Sequence, residues 1–348
     1  MTLKMKSIYI LIFFTITLLL VSSCSTETIE INELVENIET VEPTESIDFT
    51  TSDFTPATGE SPNAKPLTEK EEDPGALRLI TATSSNGFDW TRTNEEFIDR
   101  VGAPEAVIDS EGRIFLYYVS GTEGLENIWV ASVSEDQGET WVHKFVNVEG
   151  KPEGGKIADT TTILLEDGTF RSYFQSQFPG DKHNFIRSAV SSDGLNFVIE
   201  DGIRITELDN GNMAIAPNVL QIEDTIHLYT LYAAGSQGKQ NMHFTSKNGL
   251  DFQQQAAVNA NLVFANSQQI NDQHVTYGFY IQEGHQQHRS SLYYTTTKDG
   301  YEFTEPVLML EEDKELSNNL EEFMLKEPVV IQLEDESFLM FYLTGFSD

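Results

Sequence analysis

The sequence of 348 residues has one cysteine, Cys24, and far fewer cations than anions. A single cysteine excludes any disulfide within the chain. With 21 Lys and Arg against 56 Asp and Glu, the formal net charge is −35 at pH 7. Nucleic acids and anionic lipid surfaces would repel such a protein. The sequence also lacks a phosphate-binding glycine loop, a serine nucleophile elbow and a Cys/His metal cluster, so we expect no cofactor.

The first 24 residues have the features of an export signal. Lys4 and Lys6 precede an almost unbroken apolar run over residues 8–21, which is shorter than the ~20 residues that a spanning helix needs. Residues 21–24, Val-Ser-Ser-Cys, resemble the cleavage box of bacterial lipoproteins. This resemblance implies that residues 1–23 are a signal peptide and that Cys24 becomes the lipidated N-terminus. An uncleaved membrane anchor is the alternative.

The lipoprotein resemblance also implies a location. The protein would be anchored in the cell envelope outside the cytoplasm. No Asp follows Cys24 to retain it at an inner membrane, because the next residue is Ser25. In a Gram-negative cell this favours the outer membrane, and in a Gram-positive cell the outer face of the plasma membrane.

Residues 24–75 are rich in Glu, Thr, Ser and Pro, and their only cations are Lys65 and Lys70. Such a segment buries too little apolar surface to offset its chain entropy, and its like charges favour extended conformations. We therefore predict an acidic, disordered tether that holds the following domain away from the membrane. Residues 29–41 have some helical spacing, so a short frayed helix there is a minor alternative.

One short pattern occurs five times in the rest of the chain. Each copy has a glycine followed three residues later by an aromatic residue, and successive glycines are 51 to 56 residues apart. The copies are residues 83–90, 134–141, 191–197, 245–252 and 296–303, with glycines Gly87, Gly138, Gly194, Gly249 and Gly300. Asn-Gly and Asp-Gly supply the positive φ of a tight hairpin turn. A period of about 50 residues in an all-β sequence indicates a β-propeller or another repeat array.

The repeated pattern resembles the Asp-box, or BNR, repeat, Ser/Thr-x-Asp-x-Gly-x-Thr-Trp/Phe. Residues 134–141 match it at every defined position, and the other four copies are one residue shorter. A Ser, Thr or Asp before the glycine can bond to its own turn, and the aromatic residue then opens the next strand. We interpret the boxes as elements that hold the fold together, without a catalytic role.

Residues 76–348 are predicted to form one five-bladed β-propeller. Four complete blades follow each other along the chain, and two fragments remain. The N-terminal fragment, residues 77–93, has the pattern of the third and fourth strands of a blade. The C-terminal fragment, residues 329–343, has the pattern of the first and second strands. Neither fragment buries its faces alone, so together they are expected to form a fifth, closing blade without open edges.

The start of each innermost strand is where a site is expected, because these starts surround the central axis. Aligned on the turn that follows, Asp159 and Glu327 take the same place, and Glu105 lies two residues further along its strand. These three carboxylates are the predicted catalytic residues, converging on one mouth. Hydrogen-bonding side chains near them are the predicted substrate-binding residues, namely Asn218, Gln268, Lys326 and, from a loop, His183, with Ser267 beside them.

This arrangement resembles the five-bladed arabinofuranosidase and xylosidase-like glycosidases. Those enzymes use a base Asp, a pKa-tuning Asp and an acid Glu at inner strand starts, often before proline. Glu327-Pro328 and Asp159 match that placement, whereas Glu105 follows Pro104 and an N-terminal Asp-Pro pair is missing. The order of acidic residues along the chain also differs. Glycoside hydrolysis needs two carboxyl groups, and burial and mutual repulsion would separate their pKa values.

The repeated pattern also resembles the six-bladed sialidases, in which Asp-boxes are typical. They bind the substrate carboxylate through an arginine triad, but this chain has few arginines and no early Arg-Ile-Pro motif. Arg171 and Arg187 are expected to pair with local carboxylates. His285 and His288 have metal-ligand spacing without an evident third ligand, so we predict no protein-bound metal, although an axial calcium ion is left open.

The resemblance to glycosidases and the acidic mouth predict a monomeric surface protein that binds and hydrolyses extracellular glycans. The alternative is a non-catalytic propeller that binds another component of the cell envelope. Aromatic residues recur on the second strands, where a blade core is their expected role and stacking on a sugar the alternative. They are Tyr117, Tyr173, Tyr229, Tyr277 and Tyr342.

Overall fold

The computed structural model describes residues 54–55, 77–126, 128–206, 214–233, 239–258, 262–280, 291–318, 320–321 and 323–345. The predicted signal peptide and Cys24 lie outside these residues, as does the tether apart from residues 54–55. The described residues form an all-β, five-bladed propeller within one compact unit, Asp48–Asp348. This part of the chain contains no helix with the length and apolar character required to cross a membrane.

The strands alternate with short turns throughout the described chain. In chain order they are β1 (Leu77–Ser84), β2 (Thr91–Asp99), β3 (Val101–Ile108), β4 (Ile114–Ser120), β5 (Trp129–Ser134), β6 (Val142–Phe145), β7 (Asn147–Glu149), β8 (Lys156–Leu164), β9 (Phe170–Gln177), β10 (Phe185–Ser191), β11 (Asn196–Ile199), β12 (Ala214–Ile222), β13 (Thr225–Ala233), β14 (Lys239–Ser246), β15 (Gln253–Gln254), β16 (Val263–Ile270), β17 (Gln273–Phe279), β18 (Leu292–Thr297), β19 (Val307–Leu310), β20 (Phe323–Gln332) and β21 (Phe338–Gly345).

Each blade is an antiparallel meander, which we name A to E around the ring. Blade A is β20-β21-β1-β2, blade B is β3-β4-β5-β6, blade C is β8-β9-β10-β11, blade D is β12-β13-β14-β15 and blade E is β16-β17-β18-β19. Blade C gains an additional outer strand, because β7 from the preceding connection pairs in parallel with β11. The sequence pattern did not indicate this fifth strand, which contains three residues.

Blade A closes the ring in the predicted way. Strand β1 from the N-terminal part pairs with β21 from the C-terminal part over eight residue pairs, from Leu77↔Gly345 to Ser84↔Phe338. The side chains of Leu79 and Leu343 lie in this sheet with no measurable exposure to solvent. This pairing joins the two ends of the domain and removes the open edges that either fragment alone would expose.

The five boxes form the predicted turns. In each box a Ser or Thr hydroxyl accepts a hydrogen bond of 2.9–3.0 Å from the backbone N–H of the box glycine. The accepting residues are Ser84, Ser134, Ser191, Ser246 and Thr297. In three copies this residue is the second position of the pattern, one place later than the sequence alignment indicated. A side chain two residues further on then accepts from the following backbone, so the turn satisfies its own polar groups.

The recurring tyrosines belong to the contacts between blades. The hydroxyl groups of four of them donate to the carbonyl oxygen of the box glycine in the next blade, at 2.7–3.0 Å. The pairs are Tyr117 with Gly194, Tyr173 with Gly249, Tyr229 with Gly300 and Tyr277 with Gly87. Tyr342 differs, because its hydroxyl donates to Glu321 at 2.7 Å. All five side chains are buried, which confirms the core role and leaves no face for a sugar.

Phe54 packs on blade B although it lies within the predicted tether. Its side chain is buried, and its ring contacts Phe145 and Tyr118 edge-on at centroid distances of 5.4 and 6.5 Å. Its backbone N–H donates to the carbonyl oxygen of His143 at 3.4 Å. The described part of the tether is therefore attached to the propeller by an apolar side chain.

Candidate functional site at the propeller axis

Each innermost strand contains a bulge near its start, where the register against the second strand shifts. The bulged residues are Ala103, Asp159, Ala216, Ala265 and Glu327. All but Ala265 have a left-handed backbone, with φ between 46° and 50°. Asp159 and Glu327 therefore occupy equivalent places, as the sequence predicted. Alanines adopt the same conformation, so the bulge is a feature of the fold and does not depend on a carboxylate. Asp159 and Glu327 differ from the three alanine positions only in their side chains.

Two hydrogen-bond donors converge on the carboxylate of Glu327. The Nζ atom of Lys326 lies 3.1 Å from Oε1, and the backbone N–H of Ala103 in blade B donates to Oε2 at 3.1 Å. The Lys326 side chain is 6% exposed and that of Glu327 is 24% exposed. Asp159 is partly buried at the equivalent place in blade C. These residues form what we call the mouth group: Asp159, Lys326 and Glu327.

A ring of polar side chains lies just beyond the bulges. We call it the belt and define it by four equivalent residues: Glu105, Thr161, Asn218 and Asn266. Glu105, Thr161 and Asn266 accept hydrogen bonds from backbone N–H groups of the next inner strand, at 3.0–3.2 Å. Asn218 accepts from the hydroxyl of Ser267 at 2.8 Å. The belt thus joins the inner strands around the axis, and Asn218 is buried within it.

Glu105 is the titratable member of the belt. Its side chain is 3% exposed, and its Oε1 atom accepts from the backbone N–H of Thr162 at 3.2 Å. Burial raises the pKa of Glu105 to about 8, and the hydrogen bond from the Thr162 backbone together with the nearby Asn266 amide limits that rise. The carboxyl group is therefore mostly protonated at neutral pH, which is the state that a general acid requires.

The bulge separates Glu105 from the mouth group along the axis. Glu327 contacts Ala103, whereas Glu105 contacts Thr162, which corresponds to Ala106 in its own blade. Two regular steps of about 3.3 Å separate these levels, or roughly 7 Å. Residues two apart share a face only in an unbroken strand, and the bulge between Gly102 and Glu105 breaks that alternation. That the three carboxylates act together stays a prediction.

An axial cavity of about 270 Å³ extends from the belt toward the far ends of the inner strands. Glu105 and Asn266 line its inner end, and Gln268, predicted at the mouth, lines its wall. The described lining residues come from the belt or from positions after it on the inner strands, together with His274 of β17, and the mouth group is not among them. The mouth and the cavity therefore lie on opposite sides of the belt.

The remaining predicted residues lie away from the axis or outside the described chain. His183 lies, partly buried, in the loop between β9 and β10, where Asp181 and Arg187 form an ion pair at 2.9 Å. Arg171 pairs with Glu200 at 2.8 Å, so both arginines have the expected local partners. His285 and His288 are outside the described residues. The described residues contain no group of three or more candidate metal ligands.

The sequence reasoning missed a set of glutamines at the far end of the axial cavity. Gln221, Gln269 and Gln332 each lie three residues after the belt position, on the neighbouring blades D, E and A. Each precedes the first turn of its blade by one or two residues. This repeated position is the feature of the sequence from which the glutamines could have been predicted. These glutamines lie at the opposite ends of the inner strands from the carboxylates that predicted the mouth.

Comparison with known proteins supports the fold. No family model and no curated protein matches the sequence. An N-acetylgalactosamine deacetylase from F. plautii, solved with blood group B trisaccharide, aligns over 78% of this chain and 96% of its own at 15% identity and a TM-score of 0.51. A thermostable family-43 glycoside hydrolase aligns over 71% of this chain and 90% of its own at 14% identity, with a TM-score of 0.52.

A GH32 β-fructofuranosidase from Bombyx mori aligns over 80% of this chain at 10% identity and a TM-score of 0.54. This chain spans 59% of that protein. The structural neighbours therefore include five-bladed glycoside hydrolases of families 43 and 32. At these identities the likeness establishes a shared propeller fold, and the activity has to be argued from the residues at the axis.

Proposed function

We propose that the protein binds glycans at the propeller mouth and hydrolyses a glycosidic bond there. The observation that carries the proposal is the equivalent placement of Asp159 and Glu327 at left-handed bulges beside the axis. The charged Lys326 and the backbone N–H of Ala103 orient the Glu327 carboxylate. Structural neighbours that act on glycans support this class of ligand.

The chemistry of glycoside hydrolysis divides roles between two carboxyl groups. One donates a proton to the leaving oxygen, and the other acts as base or nucleophile. Glu105, whose pKa is raised to about 8 by burial, suits proton donation. Asp159 and Glu327, at the more accessible level, suit the second role. The two catalytic carboxyl groups must lie roughly 5–10 Å apart during the reaction. Substrate binding at the mouth has to bring about this separation.

A screen of aryl glycosides with the full chain tests the proposal, followed by Glu327→Gln and Asp159→Asn. Both variants should lose nearly all turnover while the melting temperature stays that of the wild type. Glu166→Gln, an exposed glutamate in the β8–β9 turn, is the matched control and should keep full activity. Unchanged turnover in both mouth variants would reject their catalytic role.

A non-catalytic binding protein is the second candidate, and one observation favours it. Three of the five bulge positions hold alanine, namely Ala103, Ala216 and Ala265, so the mouth has fewer carboxylates than positions for them. This alternative predicts that no aryl glycoside is cleaved. A glycan array with the wild-type chain then separates a glycan-binding propeller from one that binds another envelope component.

We also propose that the propeller is displayed on the cell surface through a lipid on Cys24. The apolar run and the Val-Ser-Ser-Cys box support this proposal, and so does the acidic segment that precedes the propeller. Labelled palmitate should be incorporated into the wild-type chain and not into Cys24→Ser. Equal labelling of both chains would contradict lipidation at this residue.

A further inference from the structure

We propose that the axial cavity beyond the belt binds one neutral, hydroxyl-rich molecule about the size of a monosaccharide. This site is separate from the mouth group of Asp159, Lys326 and Glu327, and it shares with the proposed hydrolysis only Glu105, which lines its inner end. The polar atoms that line the cavity, their charge and the volume that they enclose all favour such an occupant.

Three lining residues have buried polar atoms that lack a hydrogen-bond partner among the described residues. They are Oε2 of Glu105, Oγ1 of Thr162 and Nδ1 of His274. A buried polar atom without a partner costs roughly 1–3 kcal/mol, so native structures almost always satisfy such atoms. Their presence around one cavity indicates an occupant that offers several hydrogen bonds.

The lining favours a neutral occupant. Its polar side chains are amides, hydroxyl groups, one imidazole and the carboxyl group of Glu105, and none of the described lining residues is Lys or Arg. An anion would therefore find no cationic partner. Amides and hydroxyl groups each donate and accept, and a sugar hydroxyl does the same, so every lining group finds a complementary partner.

The volume excludes a single water molecule as the full occupant. At about 270 Å³ the cavity has about twenty times the ~10–15 Å³ that one water needs and lies just below the ~300 Å³ of small-molecule sites. The inner strands continue for three residues beyond the belt, or about 10 Å, to the exposed Gln221, Gln269 and Gln332. One pyranose ring with its hydroxyl groups fits within this length, with the three amides at its outer end.

Isothermal titration calorimetry on the full chain tests the site. The probes are D-galactose and myo-inositol as neutral polyols and N-acetylneuraminate as an anion. We expect the polyols to bind and the anion not to bind. Gln269→Leu should weaken polyol binding roughly 5- to 10-fold, as expected from the loss of one or two neutral hydrogen bonds. Gln254→Leu, at an exposed glutamine on the outer strand β15, is the matched control and should bind like the wild type.

Variants at the mouth distinguish this site from the proposed active site. Glu327→Gln should keep full polyol binding even if it loses turnover. If binding is lost in Glu327→Gln and unchanged in Gln269→Leu, the polyol occupies the mouth, which overturns this inference and leaves the proposed function intact. Absence of binding by either polyol, or tighter binding of N-acetylneuraminate, would also overturn it.

Discussion

Phe341 packs edge-on against Trp141, with ring centroids 5.7 Å apart, at the contact between blades A and B. Phe341 occupies the strand position that Tyr117, Tyr173, Tyr229 and Tyr277 occupy in the other blades. It has no hydroxyl to donate to the box glycine of the next blade. Instead the indole N–H of Trp141 donates to the carbonyl oxygen of Gly138 at 3.0 Å. The Trp of the most complete box thus supplies the donor that the closing blade lacks.

The tyrosine contacts between blades should stabilise the ring measurably. Tyr277→Phe removes the donor to the carbonyl oxygen of Gly87 and leaves that buried acceptor unsatisfied. We expect the free energy of unfolding to fall by about 1–3 kcal/mol in urea titrations. Tyr301→Phe, at an exposed tyrosine, is the control and should change stability by less than about 0.5 kcal/mol. Equal stability of the two variants would contradict the proposed role of the hydroxyl.

A box glycine is required both for its backbone and for the space that it leaves. Gly194 has a φ of 77°, and a Cβ added there would lie 2.7 Å from the ring of Phe115. Gly124 has nearly the same φ, 78°, with nothing within 4 Å of a Cβ. Gly124→Ala should therefore lower the free energy of unfolding only through the strain of a left-handed backbone at a non-glycine residue, by about 1–2 kcal/mol. Gly194→Ala should cost clearly more, and thermal unfolding of both variants checks the difference.

The raised pKa of Glu105 predicts a loss of stability as pH rises. The unfolded chain releases this proton near pH 4.5, whereas the folded protein keeps it to about pH 8. The stabilising contribution of this group to the free energy of unfolding is therefore fully present below pH 4.5. This contribution declines between pH 4.5 and 8, by at most roughly 1.4 kcal/mol per pH unit.

Glu105→Gln keeps a neutral hydrogen-bonding group and removes the titration. We expect this variant to be more stable than the wild type at pH 8.5 and similar to it at pH 4.5, as measured by urea unfolding. Glu166→Gln, at an exposed position, should follow the wild type at both values. A Glu105→Gln variant that is less stable at pH 8.5 would show that the charged form is preferred at the axis.

A buried histidine pair predicts sensitivity to acid. Nδ1 of His227 lies 2.9 Å from Nε2 of His243 between blades D and E, and both side chains are 1% exposed. Burial lowers the pKa of each imidazole to about 4, and His227 lowers that of His243 further, while Asp299 opposes the change. The unfolded chain takes up protons below about pH 6.5 and the folded pair does not. Stability should therefore fall between pH 6.5 and 4.

His227→Gln tests this titration, because it removes one imidazole and keeps a polar side chain. The loss of unfolding free energy between pH 7 and pH 5 should be smaller in this variant than in the wild type. His183→Gln, in a loop outside the pair, should retain the full loss. An unchanged pH dependence in His227→Gln would assign the acid sensitivity to carboxylates elsewhere.

Features of this fold were predictable from the sequence to the extent that they depend on interactions between residues near each other in the chain. The box turns were predictable because Ser191 and Gly194, for example, bond within four residues. The axial residues were only partly predictable. Asp159 and Glu327 were aligned correctly from the turns that follow them. Gln268 was placed at the mouth but lies in the cavity, because it follows the belt residue Asn266 of the same strand by two positions.

The amino-acid sequence alone determined the five-fold repeat, the turn chemistry and the closure by the two chain ends, since these follow from local patterns and from the need to pair open edges. Tertiary structure decided the register at each bulge, the burial that keeps Glu105 protonated and the separation of mouth from cavity. These features arise from contacts between inner strands about 55 residues apart, such as Glu105 with Thr162, which no local pattern encodes.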